Sequence, residues 1–380
     1  MMLGLLLSRA GVDVVVLEKH GDFMRDFRGD TIHPSTLDVL HELGLLETFL
    51  ALPHTELREI RARVGQRDLA LADFSRVAAR CRFMVFMPQW DFLSFLAEHA
   101  RRYDGFSLRT NTEVVGLIEE AVVAGVRAET PEGPIEVRAD LVIGCDGRHS
   151  IVRARAGLDV EEIASAIDVI WMRLSKREGD PPQTLGYFDH ARLCVMLDRG
   201  AYWQCGVVVR KGEFDELHDR GIDALREEIA RVAPFVASRA NEIRTFDDVK
   251  LLSVRIDRLT RWWRPGLLCI GDAAHAMSPI GGVGINLAIQ DAVATANVLA
   301  EPLRARSVTS GHLDAVQRRR MLPARITQEV QAFVQNRIWS PRDGRLRTSP
   351  ALLALERWPW LRQIPGRLIG VGVRPEHVAS

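Results

Sequence analysis

The stretch 270-IGDAAHAMSPIGGVGINLAIQDA-292 decides the fold of this chain, because it predicts a turn that joins a strand to a helix. The apolar run 267–270 is typical of a buried strand, and the helical pattern extends to Ala300. Between them lie Asp272, Pro279, Gly281, Gly282 and Gly284. Glycines allow a sharp turn, and the first N–H groups of the following helix have no partner inside it. The stretch therefore predicts an anion-binding turn at a helix N-terminus.

The first twenty residues, MMLGLLLSRAGVDVVVLEKH, read as the second half of a βαβ unit. An apolar helix reaches Ala10, Gly11 ends it, and residues 12–17 form a β-branched run typical of a buried strand. Glu18 ends that strand, where a carboxylate is placed to accept hydrogen bonds from a ribose diol. A solvated acid at a strand end is the alternative, because no GxGxxG turn precedes this helix.

A third strand-to-helix turn lies in 141-LVIGCDGRHSIVR-153. Asp146 and Gly147 follow a buried strand, and Ser150 and Arg153 lie on the helix that comes next. Taken alone, this pattern fits an ordinary structural turn as well as a cofactor contact.

Composition excludes several classes of function. Fifty basic and fifty acidic residues give a formal net charge of zero, so there is no bulk electrostatic case for binding nucleic acid or an anionic membrane. The five cysteines, at positions 81, 145, 194, 205 and 269, contain no CxxC pair and predict neither disulfides nor a metal site. No run reaches about 18 apolar residues, and no basic residue precedes MMLGLLL, so we expect a cytoplasmic protein.

The three segments, in this order, resemble the FAD-dependent aromatic hydroxylases of the para-hydroxybenzoate hydroxylase type over most of residues 1–300. The resemblance implies an α/β fold in which a Rossmann-like FAD-binding domain, incomplete at its N-terminus, is interleaved with a β-sheet substrate domain and followed by a helical segment. The predicted FAD-binding domain comprises 1–56, 86–160 and 250–310. The predicted substrate domain comprises 57–85 and 161–249, and the helical segment is 311–380.

The resemblance also assigns cofactor contacts in the first half of the chain. Glu18 would bind the adenosine ribose, and Arg28, in FRGD, would lie near the FAD pyrophosphate and the path of the nicotinamide cofactor. Gln89, in MPQWDF, would contact the flavin side of FAD. Asp146 and Gly147 belong to a motif associated with both FAD and NAD(P)H.

The quoted stretch 270–292 would hold the flavin end of FAD. Asp272 would contact the ribityl or pyrophosphate region, and Pro279 would lie beside the isoalloxazine ring. The helix start would offer backbone donors to the pyrimidine edge of that ring from Gly282, Gly284, Ile285 and Asn286. His275 is expected to be structural rather than part of a proton relay.

The chemistry implied by the family is hydroxylation. NADH or NADPH reduces FAD, molecular oxygen adds to it, and the flavin hydroperoxide transfers one oxygen atom to a small aromatic or polyketide-like molecule. Candidate pocket aromatics on the β-rich segment are Trp171, Tyr187, Phe188, Tyr202 and Trp203. Half the side chains of such strands face the opposite way, so each is equally open to a role in the core. The sequence indicates no metal and no oligomeric state.

The chain departs from the family pattern at its opening, where a strand and GxGxxG turn of roughly 12–18 residues would precede the first helix. Two interpretations stay open: a start assigned too late, which we favour, or a truncated paralogue with impaired FAD binding. Two other classes also remain, namely a flavin-dependent reductase of unsaturated lipid-like substrates and a flavin-free binding protein.

Overall fold

The computed structural model describes residues 1–24, 31–64, 67–163, 165–181, 185–189, 192–338 and 350–379. Within these ranges the α-helices are α1 (Met2–Arg9), α2 (Pro34–Glu42), α3 (Leu46–Leu50), α4 (Gln89–Ala100), α5 (Ile151–Arg155), α6 (Glu213–Asp219), α7 (Ile222–Val232), α8 (Gly284–Arg304), α9 (Ser310–Ile338), α10 (Pro350–Arg357) and α11 (Gln363–Gly370).

The strands of the same ranges are β1 (Val14–Leu17), β2 (Thr31–Ile32), β3 (Thr55–Leu57), β4 (Glu59–Val64), β5 (Arg67–Asp73), β6 (Met84–Phe86), β7 (Phe106–Arg109), β8 (Glu113–Glu119), β9 (Val123–Thr130), β10 (Gly133–Arg138), β11 (Val142–Gly144), β12 (Val160–Ile163), β13 (Ile167–Ser175), β14 (Leu185–Asp189), β15 (Arg192–Asp198), β16 (Tyr202–Arg210), β17 (Lys250–Ser253), β18 (Ile256–Leu259), β19 (Trp263–Arg264) and β20 (Leu267–Cys269). The α/β fold and the helical C-terminal segment predicted from the sequence are confirmed.

The α/β part of the molecule is built on two parallel strand pairs, β1 with β7 and β11 with β20. Helices α1, α4 and α8 pack together beside these strands. Helix α1 is buried from Met2 to Ser8, and Gly4 allows close contact, since a Cβ there would lie 2.9 Å from the ring of Phe106. Among the described residues β1 pairs only with β7, and both β1 and β11 line the same cavity.

A seven-stranded sheet forms the second part, in the order β17-β13-β16-β15-β14-β4-β5. Its strands β4 and β5 pair antiparallel, and both lie in the predicted substrate segment 57–85. The sheet also includes β17, which lies beyond the predicted substrate-domain boundary at residue 249. One face packs against α7 and the 3₁₀ segment Pro234–Glu242 through a core that contains Ile170, Trp203 and Val207.

The C-terminal helices complete the fold. Helix α9 packs along α8, while α10 and α11 lie against β5. The segment from Ile280 to Arg304, which contains α8, is long and apolar enough to cross a membrane, but 67% of its apolar window is buried inside the protein. It therefore serves here as a core helix.

Candidate active site

One large cavity of about 2910 Å³ lies between the α/β part, the second face of the seven-stranded sheet and the C-terminal helices. Its wall includes Glu18, Asp146, Asp272 and Pro279, which come from all three motifs singled out in the sequence. The fold therefore brings together segments that are separated by more than 250 positions in the chain.

The turn before α8 is shaped by two left-handed glycines. Gly281 and Gly282 have φ angles of 79° and 63°, a region that side-chain-bearing residues rarely adopt. A Cβ on Gly282 would also lie 2.5 Å from the hydroxyl of Thr31, which donates a hydrogen bond to the Gly282 carbonyl oxygen at 3.0 Å. Both glycines are thus required by the conformation, and the turn is tied to β2.

The start of α8 opens into the cavity. Gly284 and Ile285 line it, and a Cβ on Gly284 would meet no atom closer than 4.0 Å. The side chain of Asn286 instead points away, because its Oδ1 accepts hydrogen bonds from Ser35 and Thr36, both at 2.8 Å. Asn286 is not one of the residues of the cavity wall, so a contact of its backbone N–H with a ligand stays a prediction.

Three glutamines of α9 hold the other side of this turn. The Gln331 amide donates to the carbonyl oxygens of Ser278 and Ile280, at 2.9 and 2.8 Å, and accepts from the Ser278 N–H at 3.2 Å. Gln335 donates to the Ser278 hydroxyl at 2.9 Å, and Gln328 donates to the Ala276 carbonyl oxygen at 2.8 Å. Sequence reasoning missed this set, which we call the glutamine clamp. The sequence pattern that could have revealed the clamp is three glutamines at positions i, i+3 and i+7 of one helix.

A buried ionic network connects the residues before this turn to α8 and α9. Asp291 of α8 accepts hydrogen bonds from the Gly271 N–H at 3.0 Å, from His275 at 2.5 Å and from Arg320 of α9 at 2.8 Å. Burial opposes ionisation, but the paired His275 and Arg320 outweigh it and hold the pKa of Asp291 below its usual range. His275 is 1% exposed, as expected for a structural residue.

Asp272 faces the cavity at the end of the turn that follows β20. One of its oxygens lies 3.7 Å from a guanidinium nitrogen of Arg148, and both side chains are partly exposed to the cavity. Another nitrogen of Arg148, Nη1, is buried with no hydrogen-bond partner among the described residues. Arg148 is a cation on the cavity wall whose role was not predicted from the sequence.

The carboxylate of Asp146 stabilises the turn in which it lies. This carboxylate accepts from the Ser150 hydroxyl at 2.5 Å and from the Val152 N–H at 3.1 Å, which caps the start of α5. Gly147 has a φ of 84° and lets the chain enter this cap. Both residues line the cavity, so the motif presents its turn to a ligand while its carboxylate is engaged within the protein.

Two further predicted contacts lie on the cavity wall. Glu18 ends β1, and one of its carboxylate oxygens accepts a hydrogen bond from the His20 N–H at 3.0 Å. Gln89 is the first residue of α4 and also faces the cavity. Arg28 lies outside the described residues.

The five predicted pocket aromatics divide between the two faces of the seven-stranded sheet. Trp171 and Phe188 line the cavity. The expectation is wrong for Tyr187 and Trp203, which are 4% and 0% exposed in the core on the opposite face. Tyr202 lies at the start of β16 under the guanidinium of Arg173 and is not part of the cavity wall. Strand alternation explains Tyr187, since it is adjacent to Phe188 and must point the other way.

The described residues fit the flavin end of FAD. The first N–H groups of α8 lack intrahelical acceptors, and the space in front of Gly284 is open. The partial positive charge of a 21-residue helix favours an anionic ring edge at this point. The carboxylates of Glu18 and Asp272 are suited to accept hydrogen bonds from ribose or ribityl hydroxyls.

The fold and the cavity thus define a flavin-dependent oxidoreductase with a sheet-walled substrate space. A family model described as the FAD binding domain matches residues 1–330 of the chain. The chain therefore belongs to the family of FAD-dependent aromatic monooxygenases, and FAD is its cofactor.

Individual relatives agree with this assignment. The chain is 34% identical, over 379 aligned residues, to the 6-methylpretetramide 4-monooxygenase of Streptomyces rimosus, covering 96% of this chain and 88% of the relative. It is 28% identical to the dialkyldecalin synthase of Streptomyces rugosporus, covering 77% of this chain but only 61% of that relative. The structure of an anhydrotetracycline hydroxylase from Streptomyces rimosus superposes with a TM-score of 0.77 at 23% identity, over 100% of this chain and 75% of the other. This last likeness concerns the fold alone.

Proposed function

We propose that this monooxygenase hydroxylates a polycyclic aromatic molecule of the polyketide type, with NADH or NADPH as the electron donor and molecular oxygen as the co-substrate. One observation carries the proposal: the Pro279 turn and a broad apolar sheet face line the same cavity. The relative that is 34% identical over almost the whole chain is named for a substrate of this kind.

The sheet face suits a flat, apolar substrate. All seven strands of the sheet contribute residues to the cavity wall, among them Ala62, Val169, Trp171, Phe188, Val195 and Val208. Burying an aromatic ring system against such a surface contributes roughly 25 cal/mol per Å² of apolar area. Aromatic side chains add offset-stacked or edge-to-face contacts with the rings of the substrate.

The described part of the cavity wall lacks a tyrosine, one of the groups that can take the proton of a simple phenol. A polyketide-type ring with several hydroxyl groups is already electron-rich. This chemistry favours a polyhydroxylated ring system over a small hydroxybenzoate.

Bound FAD supplies the electron transfer and the activation of oxygen. The chain's own residues would bind and orient FAD and the substrate. The backbone N–H groups of Gly284 and Ile285 would donate hydrogen bonds to the ring edge, and Pro279 would limit the space beside it. With a substrate bound against it, the apolar part of the sheet would exclude water from the reacting region, which protects a reactive group from hydrolysis.

The test is a reaction under ¹⁸O₂ with FAD, NADPH or NADH, and 6-methylpretetramide as the probe substrate. We expect the probe to accelerate NAD(P)H oxidation and the product to gain one labelled oxygen atom by mass spectrometry. A product that gains two hydrogen atoms and no label would support the reductase alternative instead. Acceleration without any product, with all oxygen recovered as peroxide, would contradict hydroxylation of this substrate class.

The remaining expectations form part of the same proposal. All five cysteines are free, which supports a reducing, cytoplasmic location. We assign cofactor binding to 1–56, 86–160 and 254–310 and substrate binding to 57–85 and 161–253; the boundary moves from 249 to 253 because β17 pairs with β13.

A further inference from the structure

One row of directly paired residues crosses five strands on the cavity face of the seven-stranded sheet. Trp171 pairs with Gly206, Gly206 with Val195, Val195 with Gly186, and Gly186 with Ala62. Neighbouring strands lie about 4.8 Å apart, so Gly206 and Ala62 are separated by roughly 14 Å. Three of the five residues in this row have no side chain beyond Cβ.

The two glycines of the row have different surroundings. A Cβ on Gly206 would lie 2.9 to 3.1 Å from three atoms of the Trp171 indole, so this ring already fills the space above Gly206. A Cβ on Gly186 would lie 3.6 Å from Ala62 and Phe188 and 3.8 Å from Leu193, all ordinary contact distances. Gly186 lines the cavity and a Cβ would fit there without a clash, bordered by these three side chains; we call this position of the cavity floor the hollow.

The hollow belongs to the part of the cavity near the turn. Ile280, next to Pro279, packs against the apolar cluster that contains Val169, Leu193 and Val208. These three residues are paired in the row adjacent to that of Gly186. Phe188, in the same adjacent row, forms one wall of the hollow.

We propose that Gly186 sets how large a fused-ring substrate the cavity accepts, because the absence of a side chain there leaves room for an additional ring against Phe188. This inference rests on the proposed function and adds a residue that determines substrate size. The backbone at Gly186 does not adopt a left-handed conformation, and its Cβ position is free of clashes. Larger side chains at this position should therefore fill the hollow without disturbing the sheet.

The experiment measures binding, independently of turnover. FAD-loaded wild type, Gly186→Ala and Gly186→Leu are titrated with a four-ring probe, anhydrotetracycline, and a two-ring probe, 2-naphthol, and the change in flavin absorbance is followed. Gly116→Val is the matched control, since Gly116 lies in β8, away from the cavity, and a Cβ there meets nothing within 4 Å.

We expect Gly186→Leu to weaken binding of the four-ring probe at least tenfold and binding of the two-ring probe less than threefold, with Gly186→Ala intermediate and Gly116→Val unchanged. Equal effects on both probes, or no effect on either, would overturn the assignment. If Gly186→Leu fails to fold, the proposal is tested with Gly186→Ala, which should weaken binding of the four-ring probe more than binding of the two-ring probe. Wild type that holds FAD but binds neither probe would contradict the proposed substrate class, and the inference would fall with it.

Discussion

Gln331 and Ser278 are joined by a reciprocal pair of hydrogen bonds: the Gln331 amide donates to the Ser278 carbonyl oxygen at 2.9 Å and accepts from the Ser278 N–H at 3.2 Å. The same amide also holds the carbonyl oxygen of Ile280. Both residues that flank Pro279 are thus fixed by one side chain that is 4% exposed. Helix α9, outside the motifs of the family resemblance, positions the turn that lines the cavity and that we propose to lie beside the flavin.

The glutamine clamp is the basis of the first prediction. Gln331→Met keeps the volume of the side chain but removes three hydrogen bonds, and each buried backbone group left without a partner costs about 1–3 kcal/mol. We expect weaker FAD binding, about tenfold, and a larger share of NAD(P)H oxidation that yields peroxide rather than product. Gln335→Met, which removes a single bond to Ser278, should give a smaller change in the same direction. Equal FAD affinity in both variants and wild type would contradict a positioning role.

The buried Asp291 network is expected to support the stability of the protein. Asp291→Asn removes the negative charge that pairs with His275 and Arg320, and breaking a buried ion pair costs about 3–5 kcal/mol. Urea unfolding should show a loss of this size. Asp314→Asn is the matched control, because its pair with Arg318 is exposed on α9 and should contribute about 0.5 kcal/mol or less. A similar small loss in both variants would show that the network does not stabilise the fold.

Because of the buried His33, we expect the free energy of unfolding to depend on pH. His33 is 0% exposed, its Nδ1 donates to the Ile369 carbonyl oxygen at 2.7 Å, and burial lowers its pKa. The unfolded state therefore takes up a proton near pH 6.5 while the folded state does not, and stability falls as the pH drops below that value.

The measurement is the free energy of unfolding at pH 7.5 and pH 5.5. Wild type should lose about 1 kcal/mol more over this interval than His33→Gln. His54→Gln, at a partly exposed position, should keep the wild-type difference. If His33→Gln shows the same loss as wild type, His33 is not responsible for it.

The two sheet tryptophans should respond differently to substitution. Trp203 is fully buried and its indole N–H donates to Asp180 at 2.8 Å, so Trp203→Phe should lower stability by about 1–3 kcal/mol and leave substrate binding unchanged. Trp171 lines the cavity, so Trp171→Leu should weaken binding of an aromatic probe about tenfold. Urea unfolding and probe titration of each variant measure the two effects. If only Trp203→Phe lost probe binding, Trp203 rather than Trp171 would face the cavity.

The local motifs could be predicted from sequence because each is a strand, a turn and a helix start in consecutive residues. The turn before α8 needs left-handed backbone at Gly281 and Gly282, and glycine marks such positions directly. The roles of Tyr187 and Trp203 could not be predicted, because the register that decides which face points to the cavity depends on pairing with distant strands.

The glutamine clamp could not be predicted from the sequence for a related reason. On the sequence, Gln328, Gln331 and Gln335 look like the polar face of an exposed helix. Only the docking of α9 against the turn at 276–280 shows that the three amides are buried and that their partners are backbone groups. Long-range packing decides such contacts, and one sequence does not reveal it.

The central claim is that the backbone N–H groups at the start of α8 bind FAD. Ile285→Pro removes one of these donors, and proline is tolerated in the first turn of a helix. Ile285→Ala is the control, because it shortens the side chain and keeps the N–H group. The measurement is the dissociation constant of FAD, from the quenching of its fluorescence, with circular dichroism to verify the helix content. We predict at least tenfold weaker binding in Ile285→Pro and a change of no more than about threefold in Ile285→Ala. Equal affinity of the proline variant and wild type would contradict the account.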